Sequence, residues 1–351
     1  MARQTSRTSL QRALVKALLR TIASRFGCVV LVALTVCGSV ANSETSAELS
    51  PPLGMPSVPF PTNNPPNREK IDLGRRLFFD RKLSSDQTMS CASCHDPGQG
   101  FTDNREISRG INGRRGTRNT PTVINVAFQP YQLWDGRATS LEDQALFPLE
   151  DPAEMGSSIP IILDRLNGVW EYENAFRQVF GSRVTRETLS QALASFERTL
   201  LAGDSPYDWY AAGSLTALSQ NAAEGLKLFD GKAHCRLCHQ GHNFSDGAFH
   251  NLGVGWNKSA FRDAGRGGVT GIARDRGAFK TPTLRQVAQT GPYMHDGSLP
   301  NLEAVVDFYN QGGKPNPHLD PLIQPLHLAP REKQDLIEFL HALSGKVTFD
   351  P

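Results

Sequence analysis

The sequence predicts a mainly α chain of two tandem, related domains elaborated by long Gly/Pro loops. Three observations carry this: apolar residues recur at helical spacing, no run of strict alternation reads as a strand, and motifs of one half return in the other in the same order. The chain has 351 residues, 39% hydrophobic and 21% charged, which suits one large or two medium globular domains and excludes a disordered or fibrous chain.

The first 41 residues carry Arg3, Arg7, Arg12, Lys16, Arg20 and Arg25 with no acid, then the apolar run Cys28 to Val40. This reads as a signal peptide cleaved after Ser39-Val40-Ala41, and it directs the chain to the periplasm. An uncleaved anchor is the rival reading, but about 13 apolar residues fall short of the ~20 that span a bilayer. Cys37 ends a faint lipobox, "LTVC", in which Val36 stands where a small residue is expected. Membrane association is therefore expected only if the signal is uncleaved or lipidated. Without the six basic residues of this segment the chain carries 31 basic and 35 acidic side chains, a net of −4. No basic stripe supports a nucleic-acid partner.

Residues 42–67 are rich in proline and read as an extended lead-in, with the folded part beginning near Arg68. "REKIDLGRRLFFD" has helical periodicity. So does the stretch after Thr185, where Leu189, Ala192, Leu193, Phe196 and Leu200 follow a Thr cap, and so does "APREKQDLIEFLHALSG", with Pro330 in its first turn and Gly345 beyond its end.

The internal repeat sets the domain boundaries. "GRRLFFD" from Gly74 matches "GLKLFD" from Gly225, "FTD" at Phe101 matches "FSD" at Phe244, and "TPT" at Thr120 matches "TPT" at Thr281. Fourteen residues after each "TPT" begins a "WDG" (Trp134) or "HDG" (His295), and each is followed by a Leu-Glu pair. Two domains, 68–212 and 213–345, follow from this order.

Of six cysteines, Cys28 and Cys37 lie in the targeting segment, and the other four form Cys91-Ala-Ser-Cys94-His95 and Cys235-Arg-Leu-Cys238-His239. Two thiols three positions apart can reach the two vinyl groups of one porphyrin, and the adjacent imidazole can reach its iron. Two copies behind a signal peptide, each opening a related domain, predict two covalently bound haems c in cytochrome-c-like domains. His95 and His239 are the expected proximal ligands.

The opposite face of each iron separates an electron carrier from an enzyme. Fourteen residues past His295 is Tyr309, and fourteen past Trp134 is Pro148. A phenolate can ligate iron and a proline cannot, so the second haem is expected to be closed by Tyr309 and the first left open; a core aromatic on a helix is the alternative for Tyr309. Peroxide cleavage beside an open iron needs a group that moves a proton between the two oxygens. Glu154 in "DPAEMG" and Gln144 are the candidates, with ordinary surface residues the alternative.

The ordered set "LGRRLFFD", "SCASCHDP", "FTD", "RNTPT", "WDGR", "DPAEMG", "CRLCH", "FKTPTLR" and "GPYMHDG" resembles the bacterial di-haem cytochrome c peroxidases and, more closely, their MauG-like branch. The resemblance implies that Trp134 lies between the haems as a relay, and that Gln144, Pro148 and Glu154 line the peroxide-binding haem with Glu154 as acid and base. It also implies an interdomain calcium held by the Asn119 side chain and by carbonyls of Thr290 and Pro292.

Two departures from the peroxidase branch matter. No histidine occurs between His95 and His234 to gate the first haem, and Tyr309 stands where that branch has methionine; Met294 lies beside the calcium segment instead. One departure from MauG matters too: Ala233 replaces a tryptophan expected before the second motif, so an oxidising route would start elsewhere, at Trp256 or a tyrosine.

The resulting expectation is a di-haem enzyme that uses hydrogen peroxide to oxidise a secreted protein. The alternatives are a peroxidase fed by a small cytochrome c or copper protein, and a non-catalytic di-haem electron carrier.

Overall fold

The computed structural model describes residues 50–349, so the expected signal peptide and its cleavage site lie outside the described residues. Among the described residues no helix is long and apolar enough to cross a membrane.

Helix α1 (Arg68–Phe79) starts at Asn67, whose side chain accepts from the Lys70 amide at 2.7 Å. The short α2 (Leu141–Gln144) and α3 (Phe147–Glu150) follow, then α4 (Ile159–Asn167), α5 (Trp170–Phe180) and α6 (Arg186–Glu197). Thr185 caps α6 through the Thr188 amide, as the sequence predicts. A small α7 (Pro206–Ala211) leads into α8 (Gln220–Asp230), α9 (Arg266–Thr270), α10 (Leu302–Asn310) and α11 (Pro330–His341).

Among the described residues, strand structure is confined to two short antiparallel pairs. β1 (Ala202–Gly203) pairs with β4 (Lys346–Val347), and β2 (Phe249–Asn251) with β3 (Ala278–Lys280).

Each half has its own hydrophobic core. Leu77, Phe78, Leu149, Phe176, Leu193 and Phe196 centre the first, and Phe229, Phe244, Val306, Leu336 and Phe339 centre the second. The helix crossings that build them are the same. A side-chain carbon on Gly74 would overlap the Ala192 carbonyl, and one on Gly225 would overlap the Asp335 carbonyl, so α1 meets α6, and α8 meets α11, backbone to backbone.

The repeat also extends to the loops. Asn125 and Gln286 take φ of 58° and 61° before equivalent 3-10 turns, and Leu133 and Met294 take 67° and 73° inside equivalent turns bridged by Gln132–Ala138 and Tyr293–Leu299.

Residues 50–67 form no helix or strand, as their prolines predict, yet packing begins before Arg68. Asn64 is fully buried, donating to Glu142 Oε1 at 2.7 Å and accepting from Lys70 Nζ at 2.8 Å, and Met55 is in the core. Proline rules out regular hydrogen bonding but leaves side chains free to bury, so the stretch is ordered by tertiary contacts.

The halves are joined by charge. Arg118 reaches Asp263 at 2.6 and 2.9 Å and Asp135 at 2.7 Å, which pins the Trp134 turn to the second half. Arg285 and Asp208 form a buried pair at 2.6 Å.

Candidate functional site: two cavities with one shared wall

Both C-x-x-C-H motifs fold as a 3-10 turn, Cys91–Ser93 and Cys235–Leu237, opening on a cavity. The first cavity, about 710 Å³, is lined by Cys91, Cys94, His95, Trp134, Gln144, Pro148 and Glu154 among others. The second, about 250 Å³ and mostly apolar, is lined by Cys235, Cys238, His239, Tyr309, Thr290, Pro292 and Met294. The residues singled out for each haem site thus lie in the wall of one cavity or both.

The four thiols are free, with no disulfide among the described residues. Burial pushes Cys94 and Cys235 up to about 12 and Cys91 higher still, which favours the protonated thiol.

The two imidazoles are oriented alike. His95 Nδ1 lies 3.1 Å from the Phe101 carbonyl, and His239 Nδ1 lies 2.9 Å from the Phe244 carbonyl. A carbonyl only accepts, so Nδ1 carries the hydrogen and Nε2 is left with a lone pair for a metal. Burial also lowers both histidines below their ordinary value, favouring the neutral, ligating form. This donor set fits a covalently attached haem in each cavity. It also explains the repeated Phe of "FTD" and "FSD": both take positive φ, 57° and 49°, which turns the carbonyl toward the histidine. The repeat is visible in the sequence but this role is not, because the functional atom belongs to the backbone.

On the far side of the second cavity, Tyr309 is the eighth residue of α10. Its hydroxyl has no hydrogen-bond partner among the described residues, whereas the nearby Tyr293 hydroxyl is used up on the Val287 carbonyl at 2.8 Å. Burial, reinforced by Cys235 and Cys238, raises the Tyr309 phenol above its ordinary value. In the first half the matching helix is broken. α2 stops at Gln144, and Pro148 sits in the first turn of α3, where it offers neither a donor nor an N–H.

Glu154 is held by a turn in which Asp151 Oδ1 accepts from the Ala153 amide at 2.8 Å, and the Glu154 carbonyl accepts from Ile111 N at 2.8 Å. Burial first and Asp151 second raise its carboxyl to about 6, with Arg137 opposing.

Trp134 and Asn119 line both cavities. The Trp134 indole donates to the Asn119 carbonyl at 2.9 Å, and Asn119 N donates to the His295 carbonyl at 2.8 Å, so the shared wall is tied across the repeat. The Asn119 amide donates to the Arg105 carbonyl at 2.8 Å, which leaves Oδ1 as its free atom. The carbonyls of Thr290 and Pro292 accept no hydrogen bond among the described residues.

Ala233 is buried at 4% exposure in the second core, and Trp256 packs on Phe261 at 4.8 Å outside both cavities.

A family model described as di-haem cytochrome c peroxidase matches residues 68–216. Methylamine utilization protein MauG of Methylorubrum extorquens AM1 is 42% identical, over 83% of this chain and 82% of that protein. Cytochrome-c peroxidase IdrP1 of Pseudomonas sp. strain SCT is 39% identical, over 90% of this chain and 91% of that protein. Among solved structures, a MauG-like protein associated with microbial copper homeostasis aligns with a TM-score of 0.77 and 34% identity, over 84% of this chain and 95% of that one. The folding of both halves around C-x-x-C-H cavities and these likenesses agree: the chain belongs to the di-haem cytochrome c peroxidase family, whose members are oxidoreductases with two c-type haems.

Proposed function

We propose that this chain is a periplasmic enzyme that activates hydrogen peroxide at an open first haem and delivers the oxidation, through a second haem held by His239 and Tyr309, to a secreted protein. Residues 68–212 and 213–345 are the two haem domains of this reading. The observation that carries it is the asymmetry between the halves. The second cavity presents a free phenol, while the first has Pro148 at the matching place and the polar side chains of Glu154 and Gln144 in its wall.

Cys91, Cys94 and His95 would hold the first haem, which would supply redox-active iron for peroxide cleavage. Glu154 takes the proton from one peroxide oxygen and returns it to the other. A carboxyl raised to about 6 is near enough to neutral pH to do both. The Gln144 amide would donate to a peroxide oxygen in the cavity, and Pro148 would offer no competing ligand. Trp134, in the wall of both cavities, carries the oxidising charge between them. With His239, Tyr309 would hold the second haem, and as a phenolate it would supply an anionic ligand that favours oxidised iron.

Asn119 Oδ1 and the carbonyls of Thr290 and Pro292 would hold calcium, completed by waters; neutral oxygens of this kind suit a hard cation. With Ala233 buried, the exit to the partner protein runs elsewhere, through Trp256 or a tyrosine.

The test is the ferric EPR spectrum of the holoprotein. A high-spin signal beside a low-spin one is expected; two low-spin haems would reduce the protein to an electron carrier. Peroxide added without reductant should then give a long-lived oxidised state. Activity appearing only after one-electron prereduction would reassign the protein to peroxide removal fed by a small cytochrome c or copper protein.

A further inference from the structure

Among the carboxyl groups lining the first cavity, one that the chemistry above does not use is buried. Glu197 is the last residue of α6, is 5% exposed, and lines the cavity with Cys91, Phe78 and Leu193. Its Oε2 is buried with no hydrogen-bond partner among the described residues. Arg198 beside it is already committed, giving both terminal nitrogens to Glu142 at 2.7 and 2.9 Å and stacking over Phe60.

The charged groups acting on Glu197 are therefore Arg198 from its own helix end and Glu142 from α2. From α1 the cavity wall receives only the apolar Phe78, and Glu154 lies in the same cavity wall. Burial raises the Glu197 carboxyl to about 8, against Arg198 and with a push from Glu142.

The second half shows what the fold needs at this place. The overlaps of Gly74 with Ala192 and Gly225 with Asp335, each followed by Phe196 or Phe339, set the register of the two crossings. That register pairs Glu197 with Leu340, which is 7% exposed and lines the second cavity. Leucine meets the packing requirement there. A carboxylic acid in the same position adds the cost of burying a polar group, so packing does not account for it.

We propose that Glu197 is the redox-linked proton site of the first haem, holding a proton while the iron is ferrous and releasing it when the iron is ferric. The inference rests on the haem reading of this cavity. A ferric porphyrin carries one more positive charge than a ferrous one, and beside a poorly solvated carboxyl that charge favours the carboxylate. By reciprocity, loss of the proton favours the ferric iron to the same extent. On oxidation the electron leaves to a one-electron acceptor, the carboxyl O–H bond breaks and its proton passes to water; reduction returns both.

The experiment is a potentiometric titration of the holoprotein with dissolved mediators between pH 6 and 9, following the high-spin absorbance of the first haem. Its midpoint potential should fall with pH at a slope approaching about 59 mV per unit, the one-electron equivalent of a tenfold change in proton concentration. Glu197→Gln and Glu197→Leu, the second carrying the residue of the other half, should be flat over the same window with haem content unchanged. A slope kept in either variant overturns the proposal.

Where a variant does not fold, redox-difference infrared on Glu154→Gln protein decides. A protonated-carboxyl band present in the reduced state and lost on oxidation is expected, and its absence overturns the proposal. Fewer than two c-type haems by pyridine haemochrome would refute the haem reading itself, a result independent of the potentials.

Discussion

Replacing Glu154 with glutamine probes the proposed proton carrier through its pH dependence as well as its rate. Burial and Asp151 raise this carboxyl from 4.5 to about 6. Its ionised fraction then drops from about 90% at pH 7 to about 10% at pH 5, whereas an unperturbed carboxyl would keep about three quarters of its charge at pH 5. The carboxylate is the form that accepts the first proton, and it is lost as pH falls through about 6. The wild-type reaction with peroxide should therefore slow roughly tenfold between pH 7 and pH 5. Glu154→Gln should react ~10²–10⁴-fold more slowly at pH 7 and lose the acid limb, because an amide cannot cycle a proton. Stopped-flow mixing of peroxide with the diferric protein, read at the first haem across the pH range, gives both quantities. An unchanged acid limb in the variant would refute the reasoning, and so would a wild-type midpoint near that of an ordinary glutamate.

Tyr309→Phe removes the free phenol from the second cavity, and the low-spin ferric signal should convert to high-spin with both haems still attached; a retained low-spin signal would assign the ligand to another residue of that wall, such as His295 or Met294. Gly74→Ala drives a methyl group into the Ala192 carbonyl and should destabilise the first half by about 1–3 kcal/mol, seen as a lower thermal midpoint. Chelation with EGTA should slow charge exchange between the haems, and added calcium should restore it. Asn119→Ala should abolish the calorimetric calcium signal, leaving haem attachment intact.

The features legible in the amino-acid sequence are local or periodic ones. The haem motifs, the capped start of α6 and the helix opening with Pro330 are written within a few residues, and the structure places them where periodicity does. The contrast between Tyr309 and Pro148 emerges when one half of the chain is laid over the other by its repeat. Three features are hidden at that level. The Phe101 and Phe244 carbonyls are backbone atoms, to which side-chain chemistry gives no clue. Glu197 sits in "ASFERTL", where an acid near a helix end reads as solvated and only the crossing with α1 shows it buried. The lead-in reads as unpacked because proline signals the lack of regular structure, while its Asn64 anchor depends on Glu142 and Gln191, far along the chain.

The pairing of β4 with β1 carries Phe349 onto the first core, where it stacks on Phe79 at 5.9 Å and meets Phe101 edge-on at 5.3 Å. Phe101 is the residue whose carbonyl steers His95. A ribosome makes Phe349 only after all of residues 213–345 has been synthesised, so the first half is sealed last although it is translated first. Order of synthesis and order of completion run in opposite directions, and the half that would generate an oxidant is finished only once the half that would lead that oxidant away already exists.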